Sequence, residues 1–161
     1  MIIKSMSRKT ASFAQLYDYI SRKTDTIERI CWNLGGAPPR VKVLERFYEN
    51  ARHLPERKNG NILYHEIVSL KRSARTSVDK QRKALLALSH EYLSRRAPQQ
   101  LAFGRIHIER GHIHCHLMIS SNALGQRRRV RLQKRELVEI QREMEQMEER
   151  LCSQKRDCER E

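Results

Sequence analysis

The stretch His107-Ile108-Glu109-Arg110-Gly111-His112-Ile113-His114-Cys115-His116-Leu117-Met118-Ile119-Ser120 decides how the chain folds. Apolar and polar residues alternate on both sides of Arg110-Gly111, and strand side chains alternate between faces. One face then carries Ile106, Ile108, Ile113, Cys115, Leu117 and Ile119. The other carries Arg105, His107, Glu109, His112, His114, His116 and Met118. A two-residue turn at Arg110-Gly111 closes a hairpin. It pairs Glu109 with His112, Ile108 with Ile113, His107 with His114 and Ile106 with Cys115. The apolar rows meet on one side, where helices can cover them. On the other side His107 and His114 face each other at about 5 Å between Cβ atoms, with His116 two residues along. A lone strand histidine is ordinarily a surface or core residue. Four at one parity with a carboxylate beside them are a constellation. Neutral imidazoles bind divalent transition ions, and three of them leave positions open for a substrate oxygen. The register selects His107, His114 and His116.

Outward from the hairpin, the patterning gives four helices and up to four strands. Phe13, Leu16, Tyr17 and Ile20 fall at i, i+3, i+4 and i+7 and make one apolar face. Ser12 with Gln15 three residues on is a capping-box pattern, which predicts a helix through about Lys23. Tyr19 lies about 240° round from Phe13, off that face. Residues 33–39 break structure, and a second helix follows with Leu44, Phe47, Tyr48, Ala51 and Leu54 facing the core. Lys58-Asn59-Gly60-Asn61 is a turn before a strand over 62–70, whose muddled alternation predicts burial on both sides. A third helix runs from about Ser77 to Arg96 and ends before Pro98. The hairpin strands span 101–108 and 112–120, and residues 126–135 form a basic loop. A helix over about 134–155 closes the chain. Its Leu137, Ile140, Met144, Met147 and Leu151 repeat at 3, 4, 3 and 4, and a seam so short packs on its own domain more readily than it dimerises. With a first strand at 1–6, the order predicts an α+β fold, a small antiparallel sheet with helices mainly on one face.

The 161 residues suit one domain, expected as a catalytic domain over 1–135 and a C-terminal helix and tail over 136–161. Lys and Arg number 33 against 19 Asp and Glu, a net charge of +14. Such an excess calls for an anionic partner, and nucleic acid is the usual one. No run approaches a membrane span, no signal-peptide apolar region opens the chain, and the four cysteines show no CxxC spacing. A reducing, cytoplasmic setting is expected. Arg127, Arg128, Arg129, Arg131, Lys134 and Arg135 place six cations in nine residues after the histidine strand, and Lys4, Arg8 and Lys9 precede the Tyr19 helix. His112 is either a partner for Glu109 at the hairpin end or a DNA contact. Glu109 otherwise orients a ligand imidazole. Glu66, inside the 62–70 strand, is either an edge carboxylate or a group that orients a ligand histidine or takes a tyrosine proton. Ser69 is placed to bond a DNA phosphate.

The histidine stretch closely resembles the metal motif of conjugative relaxases, the mobilisation nucleases of the HUH endonuclease superfamily, in the group that includes the T-DNA border endonuclease. That pattern has a His, a carboxylate two residues later, and a His-x-His pair before apolar residues. Here Glu109 stands where Asp is more usual, and Ile113 where a Pro often precedes the pair. The segment Ser12-Phe13-Ala14-Gln15-Leu16-Tyr17-Asp18-Tyr19-Ile20-Ser21-Arg22 resembles the family's tyrosine motif, which maps the nucleophile to Tyr19, with Tyr17 as its competitor. Tyr64-His65-Glu66-Ile67-Val68-Ser69-Leu70 is similar to the central-strand motif. The resemblance spans residues 1 to about 145.

The resemblance implies site-specific nicking and rejoining of single-stranded DNA at an origin of transfer through a 5′-phosphotyrosine. It implies a divalent ion, Mg²⁺ or Mn²⁺, on His107, His114 and His116. It further implies accessory DNA-binding proteins, a type IV secretion coupling protein, and a bacterial cytoplasmic monomer that can travel with the DNA. Two rivals remain open. A rolling-circle replication initiator of the same superfamily usually carries its tyrosine after the histidine motif, and no Tyr follows Tyr92 here. A non-catalytic basic DNA-binding accessory module could hold a structural metal.

Overall fold

The computed structural model describes residues 1–22, 28–55 and 58–158, with side chains through residue 151. In chain order the elements are β1 (Ile2–Arg8), α1 (Phe13–Ser21), β2 (Arg29–Trp32), α2 (Arg40–Arg52), β3 (Leu63–Lys71), α3 (Val78–Arg96), β4 (Gln100–Ile108), β5 (His112–Ala123) and α4 (Lys134–Cys158). The strands form one antiparallel sheet in the order β1-β3-β5-β4-β2. The α+β class stands. The hairpin register is the expected one: His107 lies opposite His114, Ile108 opposite Ile113 and Ile106 opposite Cys115. Glu109 N donates to His112 O at 2.9 Å, closing the turn.

The sheet's first face is covered by α3 and α4. Leu85, Leu88, Tyr92 and Leu93 of α3, with Ile140 and Met144 of α4, pack on Val68, Ile106, Cys115 and Leu117. Each such leucine contributes about 1.5–3 kcal/mol on leaving water. Gly104 belongs to this face, where an added Cβ would come within 2.6 Å of Leu117 Cδ2 and 2.9 Å of the His116 carbonyl. Only glycine lets β4 approach β5 so closely there.

The second face differs from the expectation of helices mainly on one side. There α1 and α2 cover one half, where Phe13, Leu16, Tyr17, Ile20, Val43 and Phe47 close over Leu63, Leu101, Phe103 and Met118. Those four strand residues share the histidine parity, so their end of that face has to be covered. Toward the Arg110-Gly111 turn the same face turns polar and stays open.

Local details follow from neighbours. The capping box at Ser12 does not form. Ser12 makes no cap bond, and its Oγ accepts from Arg8 Nη1 at 3.2 Å instead. The predicted helix end at Lys23 lies outside the described residues. On α2 the buried stripe is Val43, Leu44, Phe47 and Asn50, so Asn50 takes a position that hydropathy had given to Tyr48 and Ala51. Asn50 Nδ2 donates to Ser120 Oγ at 3.0 Å, and Asn122 Nδ2 donates to Asn50 O at 2.7 Å. Strand β2, not foreseen, pairs at the sheet edge with β4. Only Ile30 of its four residues is fully buried, too little for a period-two signal. Helix α4 docks on α3 within the first core. Among the described residues no helix is long and apolar enough to cross a membrane.

Candidate active site

On the open half of the second face the antiparallel registers make a grid. One row across β1, β3, β5 and β4 reads Ile2, Ser69, His114, His107. The next reads Lys4, Ile67, His116, Arg105. The third begins Met6, His65, Met118, and it is here that the helices close over the sheet. A cavity of about 530 Å³ sits over the first two rows, bounded by His107, His114, His116, Tyr19, Arg22 and Lys4, among others.

Helix α1 delivers the tyrosine. Its apolar stripe is pinned to the second core, which buries Tyr17 at 7% exposure, stacked on Phe103 with ring centroids 4.3 Å apart. Tyr19, off the stripe, stays 52% exposed. Its ring stands edge-on to His65 at 5.8 Å and to His116 at 5.9 Å. Of the two tyrosines, only Tyr19 presents itself to the cavity.

The imidazoles are held by the protein through one nitrogen each. His107 Nε2 lies 2.6 Å from the Ile20 carbonyl. A carbonyl only accepts, so Nε2 carries the proton and Nδ1 the lone pair. His114 Nε2 lies 3.4 Å from Glu109 Oε2. His116 Nδ1 lies 3.0 Å from His65 Nε2. The rings of His107 and His116 are 4.4 Å apart, and those of His114 and His116 6.1 Å. Burial, with His107, His65 and His114 nearby, pushes the His116 pKa down to about 3. Burial, Arg8 and His107 push that of His65 down to about 4. Both are therefore neutral near pH 7 and able to offer a lone pair.

Among the described residues no three His, Cys, Asp or Glu side chains stand as a ready-made ligand set. The donor chemistry nonetheless fits a divalent ion. Three imidazoles share one open face, and each turns one nitrogen to a protein group, His107 to the Ile20 carbonyl, His114 to Glu109 and His116 to His65, an arrangement typical of ligand histidines.

The remaining expected residues divide. Lys4 and Ser69 border the cavity. Arg8 stays near His65 while its guanidinium bonds Ser12. Glu109 turns to His114 rather than to His112, whose ring stacks on that of His114 at 5.8 Å.

Glu66 is a correction. Parity puts it on the first face, fully buried. It accepts from Tyr92 Oη at 2.6 Å, Arg96 Nε at 2.9 Å and Ser5 Oγ at 2.9 Å. The sheet separates it from Tyr19 and from the histidines, so it serves the core. The basic loop stands apart from the histidines. It leaves the far end of β5, and at about 3.4 Å per residue it begins roughly 24 Å from His116. Arg127 and Arg128 are exposed. Arg129 ties the loop down, donating to Asn61 O at 3.2 Å and Pro55 O at 3.0 Å. Arg131 borders a separate hollow with Ser5, Ser7 and Arg96.

His65, which contacts His116, and the cavity residue Arg22 were not anticipated from the sequence. His65 is four residues before Ser69 and therefore shares its face. That parity was the available signal, hidden by a strand buried on both sides. Arg22 follows α1 directly and borders the cavity; nothing in the patterning marked it.

A family model described as "Relaxase: MobA/VirD2-like, nuclease domain" matches residues 19–152. No curated protein matches the chain.

Proposed function

The chain belongs to the MobA/VirD2-like relaxase family of nuclease domains, and from that premise we propose that it nicks and rejoins single-stranded DNA at an origin of transfer, with Tyr19 as nucleophile. The observation that carries this reading is the placement of Tyr19, half exposed and edge-on to two neutral histidines, while Tyr17 is locked in the core.

The Tyr19 oxygen bonds to the scissile phosphorus and the bond to the 3′-oxygen breaks. The phenol proton is balanced by the proton on the departing 3′-hydroxyl. The product is a 5′-phosphotyrosine. One ester replaces another, so the free 3′-hydroxyl can attack in reverse and reseal the strand.

His107, His114 and His116 would hold a divalent ion such as Mg²⁺ or Mn²⁺, which when bound offsets the charge that builds on the phosphate oxygens. His65 positions His116: by accepting from Nδ1 it leaves the Nε2 lone pair free. Glu109 faces His114 at Nε2 and the Ile20 carbonyl accepts from His107 Nε2, which leaves Nδ1 of those two rings for the ion. Lys4, Arg22 and Ser69 line the cavity at positions suited to flanking phosphates. The +14 chain draws the strand in.

The test is incubation with labelled single-stranded oligonucleotides covering candidate origins, followed by denaturing electrophoresis. A covalent protein–DNA adduct that reverses on adding a strand with a free 3′-hydroxyl supports the reading. Binding with no adduct on any strand would leave an accessory module.

A further inference from the structure

The sheet's first face carries a second hollow, of about 210 Å³, where β1 and the start of β3 meet the last turn of α3 and the entry to α4. The register builds its floor: Ser5 lies opposite Glu66, and Ser7 opposite Tyr64. These side chains point away from the histidines, so the sheet stands between this hollow and the catalytic cavity. The Arg96 guanidinium, on a residue only 3% exposed, lies 4.8 Å over the Tyr64 ring. It donates to Glu66 through Nε and Nη2, each at 2.9 Å. The Glu66 oxygens are fully engaged, Oε1 by Ser5 and Arg96 and Oε2 by Tyr92. What the hollow still offers is donors. Arg96 keeps N–H groups beyond its bonds to Glu66 and Gln100. Tyr64 Oη accepts from Asn61 Nδ2 at 3.4 Å, which leaves its own proton to give. Among the described residues, the Ser7 hydroxyl and the exposed Arg131 guanidinium have no hydrogen bond or ion pair.

We propose that this hollow binds a small oxyanion of the phosphate class, held by Arg131 and Arg96 and bonded by the hydroxyls of Tyr64 and Ser7. Charge sets the sign of the ligand. Glu66 balances Arg96, so Arg131 leaves the hollow cationic. Geometry sets its type. A guanidinium is a planar fork of donors that matches the oxygens of a phosphate, and stacking on Tyr64 fixes the plane of Arg96. Size sets the limit. Pockets for organic ligands run to roughly 300–1,000 Å³, so this one takes a phosphate group and not a nucleoside with it. Nothing in the hollow touches Tyr19 or the histidines, and the site stands or falls apart from the nicking reading.

The test is calorimetric titration of the full chain with inorganic phosphate, against sodium chloride at matched ionic strength and with divalent ions chelated. Wild type should bind phosphate saturably. Arg131→Gln, at an exposed position that leaves the core intact, should weaken binding roughly tenfold. Arg131→Lys should recover part of the loss, since it keeps the charge without the fork. Tyr64→Phe, which keeps the ring under Arg96 and removes one donor, should weaken binding roughly fivefold. Lys4→Ala with Arg22→Ala, in the catalytic cavity, should leave the Arg131-dependent binding in place. No binding beyond the chloride control, unchanged binding in Arg131→Gln, or loss of all binding in the cavity variant would each overturn the site. Thymidine homopolymers ending in a 5′-phosphate or a 5′-hydroxyl identify the source. An affinity advantage for the phosphorylated strand that Arg131→Gln removes points to a DNA end. Equal affinity, with phosphate still binding through Arg131, points to a free phosphate or small phosphomonoester.

Discussion

Tyr19 and Tyr17 are two residues apart and chemically identical, so helical phase alone separates them. The stripe of Phe13, Leu16, Tyr17 and Ile20 buries Tyr17 and turns Tyr19 outward. Tyr19→Phe should therefore abolish the covalent adduct and leave DNA affinity within about twofold, since one hydroxyl is lost from a site whose binding rests on phosphate contacts. An adduct that persists in Tyr19→Phe and vanishes in Tyr17→Phe would overturn the assignment. His65 was invisible at this scale because a buried strand hides its parity. Its bond to His116 Nδ1 implies that His65→Ala lowers divalent-ion affinity about tenfold or more, read by calorimetry. His65→Gln, whose carbonyl can accept the same proton, should recover part of that loss; an alanine variant with native affinity would refute the positioning role. Glu66 is the opposite lesson. A carboxylate in a catalytic-looking motif belongs to a buried cluster with Arg96, Tyr92 and Ser5. Glu66→Ala strands a guanidinium in the core and should cost about 3–5 kcal/mol of folding stability. The protein that remains folded should still form adduct. Denaturant melts and the adduct assay, run at a temperature where the variant is folded, decide between a core and a catalytic role.

At the scale of elements, legibility follows how completely burial determines the pattern. The β4–β5 hairpin was readable to the residue because one face is apolar throughout and the turn admits one register. Helix α1 was readable for the same reason, whereas α3 was legible from its bounds at Ser77 and Pro98, because its buried face mixes Leu85, Leu88 and Leu93 with Gln81, Ser89 and Arg96. Strand β2 was not, because four edge residues with one buried side chain carry no periodicity. The stripe of α2 was misread at Asn50, whose burial depends on hydrogen bonds to Ser120 and Asn122 that only the fold assembles. The basic loop follows the histidine strand in sequence but stands far from the histidines in space. Following β5 in sequence means leaving it at the opposite end from His112. The consequence can be measured. Replacing Arg127 and Arg128 with Ala should reduce the salt slope of DNA binding by roughly one unit, with adduct formation at low salt retained. If adduct formation collapses at saturating DNA, the loop reaches the reacting phosphate after all. Arg129→Ala is a different experiment, because its guanidinium fastens the loop to Asn61 and Pro55.

For the whole molecule, the decisive feature is that two apolar cores seal the sheet, the second of them bordering the cavity through Ile20 and Met118. One is sealed by α3 and α4 and the other by α1 and α2, and neither contains His107, His114 or His116. The general layout could be foreseen from the hairpin and its flanking helices. The division of helices between two faces could not, because it depends on which ends of the strands α1 and α2 reach. This separation distinguishes a catalytic ion from a structural one. If apolar burial supplies the fold, removing divalent ions with a chelator should stop adduct formation while circular dichroism and a single cooperative melt persist. Adding Mn²⁺ back should restore adduct and raise the melting temperature modestly, in step with ion concentration, because an ion that binds only the native state stabilises by mass action. A domain held together by its metal behaves otherwise and unfolds when the metal is removed. Loss of the cooperative melt on chelation would therefore favour the accessory-module reading, in which the histidine face is a structural clip. A persisting melt with adduct formation lost would place the ion in the chemistry.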